Sequence, residues 1–232
     1  MTDTDTTWTS SDDAYDAGVD AHYSAYKAYQ YFESTFGWKG LDGDGGPYPY
    51  DTGLDDSSSQ SLTALMIGVD VKFICTGLGC DTPNGAAWTG EEILVGLGDS
   101  ESDGYGSFAM LDIVGHEWTH GIIDHINDLT YSGESGALNE SWADAFGTLV
   151  QNYAEGGAID WKIGQNYFPT DPDVAIRYMD NPALAGDPDH YLERYTGTLD
   201  NGGVHTNSGI PNRAFSLLVA GGTHSNSGSM YG

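Results

Sequence analysis

The stretch His116-Glu117-Trp118-Thr119-His120 decides the fold. Apolar residues recur around it at intervals of three and four between Phe108 and Asn127, which predicts an amphipathic helix over that range. Two histidines four positions apart project from one face of such a helix, so both imidazoles can reach a single tetrahedral metal ion. Glu117 lies about a quarter-turn round the helix, where it can hold a water molecule as a general base rather than bind the metal. Because such a motif arises by chance in about one sequence in a hundred, two ordinary helix-face histidines are the alternative.

A second helix is predicted from Ala137 to Tyr153, again from apolar residues at helical spacing. It carries Glu140 and Asp144 four positions apart and therefore on one face. Glu140 is placed to be a third ligand, while Asp144 is spaced to accept a hydrogen bond from the ring of His116. Two imidazoles and one carboxylate leave a fourth position open, as in a catalytic zinc site. A solvent-exposed acidic helix face is the alternative.

Three other segments have regular patterns. Apolar residues at helical spacing predict a helix over 14–36: Val19, Tyr23, Tyr26, Tyr29 and Phe32. Alternation from Leu62 to Phe73, and the run Ile93-Leu94-Val95, predict strands. A final helix is predicted from Pro211 to Gly221, because proline is tolerated in a first turn. Residues 1–13 are mostly Thr, Ser and Asp, which predicts a disordered end or a linker.

The composition limits the partners. The 232 residues include 7 Lys and Arg against 35 Asp and Glu, a formal net charge of −28. That charge argues against nucleic acid and against an anionic membrane as partners, and no stretch approaches the roughly 18 apolar residues needed to span a bilayer. An apolar content of 39% is too high for a disordered acidic tail, so a globular domain is expected. The 33 glycines favour many loops, above all over 157–209.

Cys75 and Cys80 are the only cysteines in the sequence. The four residues between them include Gly77 and Gly79, which would allow a tight-loop disulfide, while a free pair is also compatible with the spacing. A zinc ribbon is excluded because it would need a second pair of cysteines.

The two predicted helices closely resemble those of the thermolysin-like neutral metalloproteases, in which a similar nineteen-residue gap separates the counterparts of His120 and Glu140. Further stretches agree in order: Val19–Tyr23, Phe146–Val150, Gly186–Tyr191 and Asp200–Ile210. The resemblance covers about residues 15–225. It implies an α+β zincin fold with an N-terminal strand-containing lobe over 14–127 and a mainly helical lobe over 128–232. The lobes meet at the zinc-binding helix, and both ends of the chain are expected to be shortened relative to the family.

The resemblance implies a role for each matching residue. It places Zn²⁺ on His116, His120 and Glu140, with Glu117 as the general base. Asn139 and Asp144 are the implied outer partners of the ligands. His205 is implied to face the oxyanion, with Asp200 orienting its ring, and Tyr131 to share this task.

Two further residues match substrate contacts of the family. Arg177 is implied to hydrogen-bond the substrate backbone beyond the cleaved bond, with a surface ion pair as the alternative. Asn84 is the first residue of a stretch, Asn84–Trp88, that resembles the substrate-aligning edge strand. That stretch is one residue longer than in the family, which puts the contact from Asn84 in question.

The family's double calcium site is depleted in this sequence. Only Asp112 and Asp160 occupy matching positions, whereas Gln151, Lys162 and Gln165 replace the expected acids. Ca²⁺ requires six to eight oxygen ligands and favours several carboxylates, so any calcium binding is expected to be weak.

These features together predict a zinc endopeptidase, and the resemblance implies a preference for a bulky apolar residue after the cleaved bond. The expected partner is a peptide or protein substrate, neither nucleic acid nor a membrane, and the expected state is a monomer. Secretion is implied by the resemblance alone, since the sequence begins with no signal peptide. A truncated non-catalytic zinc-binding or peptide-binding module is the alternative, and a purely structural acidic protein would bind no zinc.

Overall fold

The computed structural model describes residues 13–46, 67–69, 73–74, 81–82, 84–98, 106–127, 129–168, 171 and 173–224. The predicted linker up to residue 12, the first part of the predicted 62–73 strand, and Cys75 and Cys80 lie outside the described residues. No helix in the described part of the chain is both long and apolar enough to span a membrane.

The described residues form five α-helices and seven short strands. The helices are α1 Asp13–Phe36, α2 Leu111–Ile126, α3 Gly133–Glu155, α4 Asp200–Asn207 and α5 Gly209–Ala220. The strands are β1 Ile67–Val69, β2 Phe73–Ile74, β3 Asp81–Thr82, β4 Ala86–Trp88, β5 Ile93–Val95, β6 Lys162–Ile163 and β7 Arg177–Tyr178. This is a mixed α+β fold, with a small N-terminal sheet and a helical C-terminal part.

The sheet places one strand beside the motif helix. Strands β1, β5 and β4 form a three-stranded sheet in that order, with β1 parallel and β4 antiparallel to β5. Among the described strands β4 pairs with β5 alone, so it is an edge strand. It contacts α2, and its other edge faces the candidate site described below.

Helix α1 forms where the sequence predicts it, but only part of the predicted apolar face is buried. The buried apolar stripe begins with small residues, which allow close packing on the rest of the core, and ends with two aromatic rings: Ala17, Ala21, Ala25, Ala28, Tyr31 and Phe32. Tyr23 and Tyr26, part of the predicted apolar face, are about half exposed, at 47% and 53%. Asp13 opens α1 and so does not belong to the predicted linker.

Glycines let α2 and α3 approach closely. A side chain at Gly147 would collide with the carbonyl oxygen of Asp112, and a Cβ on Gly115 would lie 3.1 Å from the Cα of Gly147. Glu140 on α3 and the histidines on α2 are therefore brought together by helix packing rather than by loops.

Two helix starts and one loop assignment were wrong. Helix α2 begins at Leu111, three residues after the predicted start at Phe108, and α3 begins at Gly133, four residues before the predicted start at Ala137. Within the additional turn of α3, Gly136 packs so closely against Val204 that a side chain there would collide. Helix α5 begins at Gly209, so Pro211 lies in its first turn, as predicted. The predicted loop over 157–209 contains the whole of α4, whose glycine-rich sequence has no helical periodicity.

Candidate active site

Three side chains converge between α2 and α3. The Nε2 atoms of His116 and His120 lie 3.0 Å apart, and each lies 3.4 Å from an oxygen of Glu140. Zinc with ligand bonds of about 2.0–2.2 Å would separate tetrahedral ligands by about 3.3–3.5 Å. All three residues are buried, with 4%, 8% and 0% of their surface exposed. They are the one group among the described residues whose His, Cys, Asp or Glu atoms are close enough to share an ion.

Partners behind the rings orient both histidines. The Nδ1 atom of His116 lies 2.9 Å from Oδ1 of Asp144, and the Nδ1 atom of His120 lies 2.7 Å from Oδ1 of Asn139. Carboxylate and amide oxygens accept hydrogen bonds, so each Nδ1 carries the hydrogen. The Nε2 lone pairs of both rings are thereby directed at Glu140, as metal ligation requires.

The electrostatics of this cluster call for a cation. Oε2 of Glu140 has no hydrogen-bond partner in the described part of the structure, although it is buried. Burial would lower the pKa of His116, but Asp144 and Glu140 outweigh it and raise that pKa to about 10. Burial would likewise raise the pKa of Glu140, yet the neighbouring rings of His116 and His120 hold it well below its usual value. Two imidazoles and one carboxylate are the donor set of a catalytic zinc site, so the residues fit this ion.

Glu117 is held beside the cluster by the edge strand. Its Oε2 accepts a hydrogen bond of 2.6 Å from the backbone N–H of Trp88 on β4. The indole N–H of Trp88 donates to Oδ2 of Asp124, also at 2.6 Å. Glu117 and Asp124 are seven residues apart and share a face of α2, so β4 is fastened to that helix at two points. The sequence reasoning missed Trp88 and Asp124, and the two-turn spacing of the acids was the available signal.

A cleft of about 490 Å³ runs over the cluster. It is lined by β4 and the turn after it, by α2, and by the segment that leads into α3: Ala86, Ala87, Trp88, Thr89, Gly90, His116, Glu117, His120, Asp124, Leu129, Thr130, Tyr131, Asn139, Glu140 and His205. An extended peptide beside an edge strand can bind by main-chain hydrogen bonds, and β4 offers such an edge.

Tyr131 and His205 reach the cluster from the other side. The hydroxyl of Tyr131 donates a hydrogen bond to Oε1 of Glu140 and lies 3.3 Å from Nε2 of His205. Burial, and then the charge of Glu140, raise the pKa of Tyr131, so it remains a hydrogen-bond donor. Asp200 holds His205 twice, accepting from its backbone N–H at 2.9 Å and lying 2.7 Å from its Nδ1. Donors at these positions are suited to stabilise a developing oxyanion.

A left-handed turn gives Asp200 this double contact. The φ angles of Asp200, Asn201, Gly202 and Gly203 are 51°, 49°, 90° and 80°. Asp200 and Asn201 are the two non-glycine residues with positive φ in the described chain. Left-handed backbone costs about 1–3 kcal/mol at a non-glycine residue and persists only where the surroundings enforce it.

Arg177 forms a buried ion pair, which corrects the alternative of a surface pair. Its Nε lies 2.8 Å from Oδ2 and its Nη2 2.5 Å from Oδ1 of Asp144. The two side chains are 14% and 0% exposed. Burial would raise the pKa of Asp144, but Arg177 and then His116 hold it far below its usual value.

The remaining predicted residues are not among the described residues that line the cleft. Arg177 is not among the lining residues and is joined to the cluster through Asp144, and Asn84 is half-buried, two residues before β4. Asp112 is buried and accepts hydrogen bonds from the backbone N–H groups of Ile113 and Gly164, at 2.9 and 2.6 Å. Asp160 accepts from the backbone N–H of Lys162 at 3.1 Å. Both carboxylates thus accept hydrogen bonds from backbone N–H groups in this structure.

Two family profiles match almost the whole chain. The profile of the thermolysin metallopeptidase catalytic domain matches residues 1–124, and that of the thermolysin metallopeptidase alpha-helical domain matches residues 127–231. The chain belongs to the thermolysin metallopeptidase family. His116, His120 and Glu140 are its zinc site.

Individual thermolysin relatives agree with this assignment. The chain is 42% identical over 225 residues to the thermostable neutral protease NprT of Geobacillus stearothermophilus, covering 96% of this chain and 36% of that protein. It is 40% identical over 226 residues to bacillolysin of Bacillus cereus, covering 94% and 35%. The solved precursor of protealysin, a metalloproteinase from Serratia proteamaculans, superposes with a TM-score of 0.67 at 28% identity, covering 93% of this chain and 62% of that one. The chain spans about a third of the length of the first two relatives.

Proposed function

We propose that the protein is a zinc endopeptidase. The observation that carries the proposal is the buried cluster of His116, His120 and Glu140, opening on a cleft that also contains Glu117. A purely structural acidic protein would have no reason to bury three converging metal ligands. A non-catalytic module is disfavoured because Tyr131 and His205 also meet at Glu140. A site that only bound zinc would not require these two further hydrogen-bonding side chains.

The residues divide the reaction between them. His116, His120 and Glu140 would hold a zinc ion, which would supply Lewis acidity to polarise a carbonyl and lower the pKa of water. Glu117 accepts the proton of the attacking water and returns it to the leaving amine. Tyr131 and His205 donate hydrogen bonds to the carbonyl oxygen as negative charge develops on it, and Asp200 orients the ring of His205.

The substrate would lie extended along β4, in the cleft. Arg177 is proposed to contact the substrate backbone beyond the cleaved bond, with Asp144 fixing its guanidinium. Asn84 is proposed as a weaker contact at the start of the edge strand. The preference for a bulky apolar residue after the cleaved bond rests on the family resemblance.

Other features of the proposed enzyme also rest on the resemblance. We expect a secreted monomer that acts on proteins or peptides, with lobes over 14–127 and 128–232. Any calcium at Asp112 and Asp160 would be weakly bound, because Gln151, Lys162 and Gln165 supply no carboxylate. Micromolar calcium should therefore leave the melting temperature almost unchanged, and a rise of several degrees would show that other ligands rebuild the site.

Replacement of the base tests the proposal. Glu117→Gln should retain one zinc per chain and lose peptide hydrolysis, because an amide can hold water but cannot accept its proton. Glu193→Gln, an exposed acid of the other lobe, is the matched control and should behave as the wild type. Undiminished turnover by Glu117→Gln would overturn the mechanism.

A further inference from the structure

Asp144 accepts more hydrogen bonds than any other carboxylate in the described chain. It is fully buried and receives four hydrogen bonds from three side chains. His116 and Arg177 account for three of them. The fourth comes from α5: Nδ2 of Asn212 donates to Oδ2 of Asp144 at 2.8 Å.

Asn212 distinguishes the two oxygens of this carboxylate. Arg177 binds both oxygens and so defines the plane of the group, whereas Asn212 binds Oδ2 alone. The other oxygen, Oδ1, is the one that faces Nδ1 of His116. A donor fixed on Oδ2 therefore keeps Oδ1 directed at the zinc ligand.

The buried amide of Asn212 lowers the stability of the fold at its own position. The side chain is 1% exposed, and its Oδ1 has no hydrogen-bond partner within the described part of the chain. An unpaired buried acceptor destabilises the fold, and an apolar side chain of similar size would avoid that cost. The reverse orientation of the amide would set its oxygen against the carboxylate, so the donor must face Asp144. Packing of α5 alone thus does not account for asparagine at this position.

We propose that Asn212 is a positioning residue for the metal centre. Through Asp144 it fixes the ring of His116, so that Nε2 is directed at the zinc ion. The proposal rests on the zinc site of the proposed function and makes no use of peptide cleavage. Loss of a group that hydrogen-bonds a ligand directly typically weakens metal binding about 10–100-fold, so loss of Asn212, which acts through Asp144, is expected to weaken it by up to about 10-fold.

Two substitutions test this role by zinc release to a chelator. Asn212→Leu removes both the donor and the unpaired acceptor, and Asn212→Asp keeps the shape but replaces the donor with an acceptor. Ser216→Ala is the matched control, since Ser216 is equally buried on α5 and donates to the carbonyl oxygen of Arg213. We expect zinc release to be accelerated by several-fold, up to about 10-fold, in both Asn212 variants, and to be unchanged in Ser216→Ala. The visible spectrum of the cobalt-substituted protein should shift only in the Asn212 variants.

The outcomes separate a positioning role from a structural one. Circular dichroism and the melting temperature of the zinc-free protein report folding, so Asn212→Asp decides the matter if Asn212→Leu does not fold. Wild-type zinc release and an unshifted cobalt spectrum in a folded Asn212 variant would overturn the proposal. Equal acceleration in Ser216→Ala would also overturn it, because helix packing would then be the cause. A wild-type chain that binds no zinc would refute the proposed function as well, which none of the other outcomes does.

Discussion

The zinc ligands and the oxyanion donors lie side by side but are held in different ways. His116, His120 and Glu140 are at most 8% exposed and project from two packed helices. Tyr131 is 40% exposed and lies in the loop before α3, and the side chain of His205 is 48% exposed and follows the left-handed turn. The comparison teaches that the ligand cluster depends on helix packing, whereas the proposed oxyanion donors depend on a loop and a short, locally strained segment.

The largest expected effect comes from removing a ligand. Glu140→Ala should lose bound zinc and reduce peptide hydrolysis to background, because two imidazoles alone leave the ion without its carboxylate. It should also remove the acceptor of Tyr131 and so disturb both regions. Metal analysis after dialysis checks this, and stoichiometric zinc in the folded variant would contradict the assigned ligand set.

Removing an oxyanion donor should separate the two regions. His205→Ala should keep one zinc per chain while kcat falls by about 10²–10³-fold, the usual cost of one such donor. Steady-state kinetics and metal analysis on the same preparation provide the test. If His205→Ala lost zinc as completely as Glu140→Ala, the two regions would form one unit and the comparison would fail.

The same contrast explains what could be predicted from the sequence. Helix periodicity placed His116 and His120 on one face and gave Asp144 the correct reach to His116, since spacing along a helix fixes direction. The resemblance added His205 and Asp200, whose neighbours have no periodic pattern. Helix α4 was missed because four successive left-handed residues obey no helical or strand repeat.

Contacts between distant segments also could not be predicted from the sequence. Trp88 and Asn212 are far along the chain from the residues that they contact, Glu117 and Asp144, and neither belongs to the motif. The buried face of α1 was partly wrong for a related reason. Tyrosine has a larger apolar surface than alanine, but along most of this helix only small residues such as Ala21 and Ala28 allow the close packing observed there.

A substitution in the left-handed turn should have a smaller effect. In Gly203→Ala a Cβ at φ +80° would lie 2.6 Å from Cδ1 of Tyr195, so we expect a loss of about 1–3 kcal/mol in unfolding free energy and a fall in kcat. Zinc content should not change. Gly18→Ala in α1 has open space around its Cβ and should stabilise the protein by about 0.5–1 kcal/mol. Full activity in Gly203→Ala would show that the turn does not position His205.

The smallest expected effect is that of Asp187, whose carboxylate interacts electrostatically with charged groups of both regions. Burial raises its pKa to about 6, with Arg177 acting in the opposite direction and His205 and Asp200 also contributing. The folded state therefore binds the proton more tightly than the unfolded chain, whose Asp pKa is about 3.9. Between about pH 4 and pH 6 this residue should make stability fall as pH rises. Asp187→Asn should remove that contribution, and unfolding midpoints that change with pH as in the wild type would contradict it.

The central claim is that zinc on His116, His120 and Glu140 makes this protein a peptidase. The most direct test is to strip the protein with a chelator, titrate zinc back, and measure bound metal and peptide hydrolysis in the same samples. The account predicts that hydrolysis is absent from the stripped protein and rises in proportion to bound zinc up to one ion per chain. Hydrolysis that survives complete removal of zinc, or one bound zinc per chain without hydrolysis of any peptide, would contradict it.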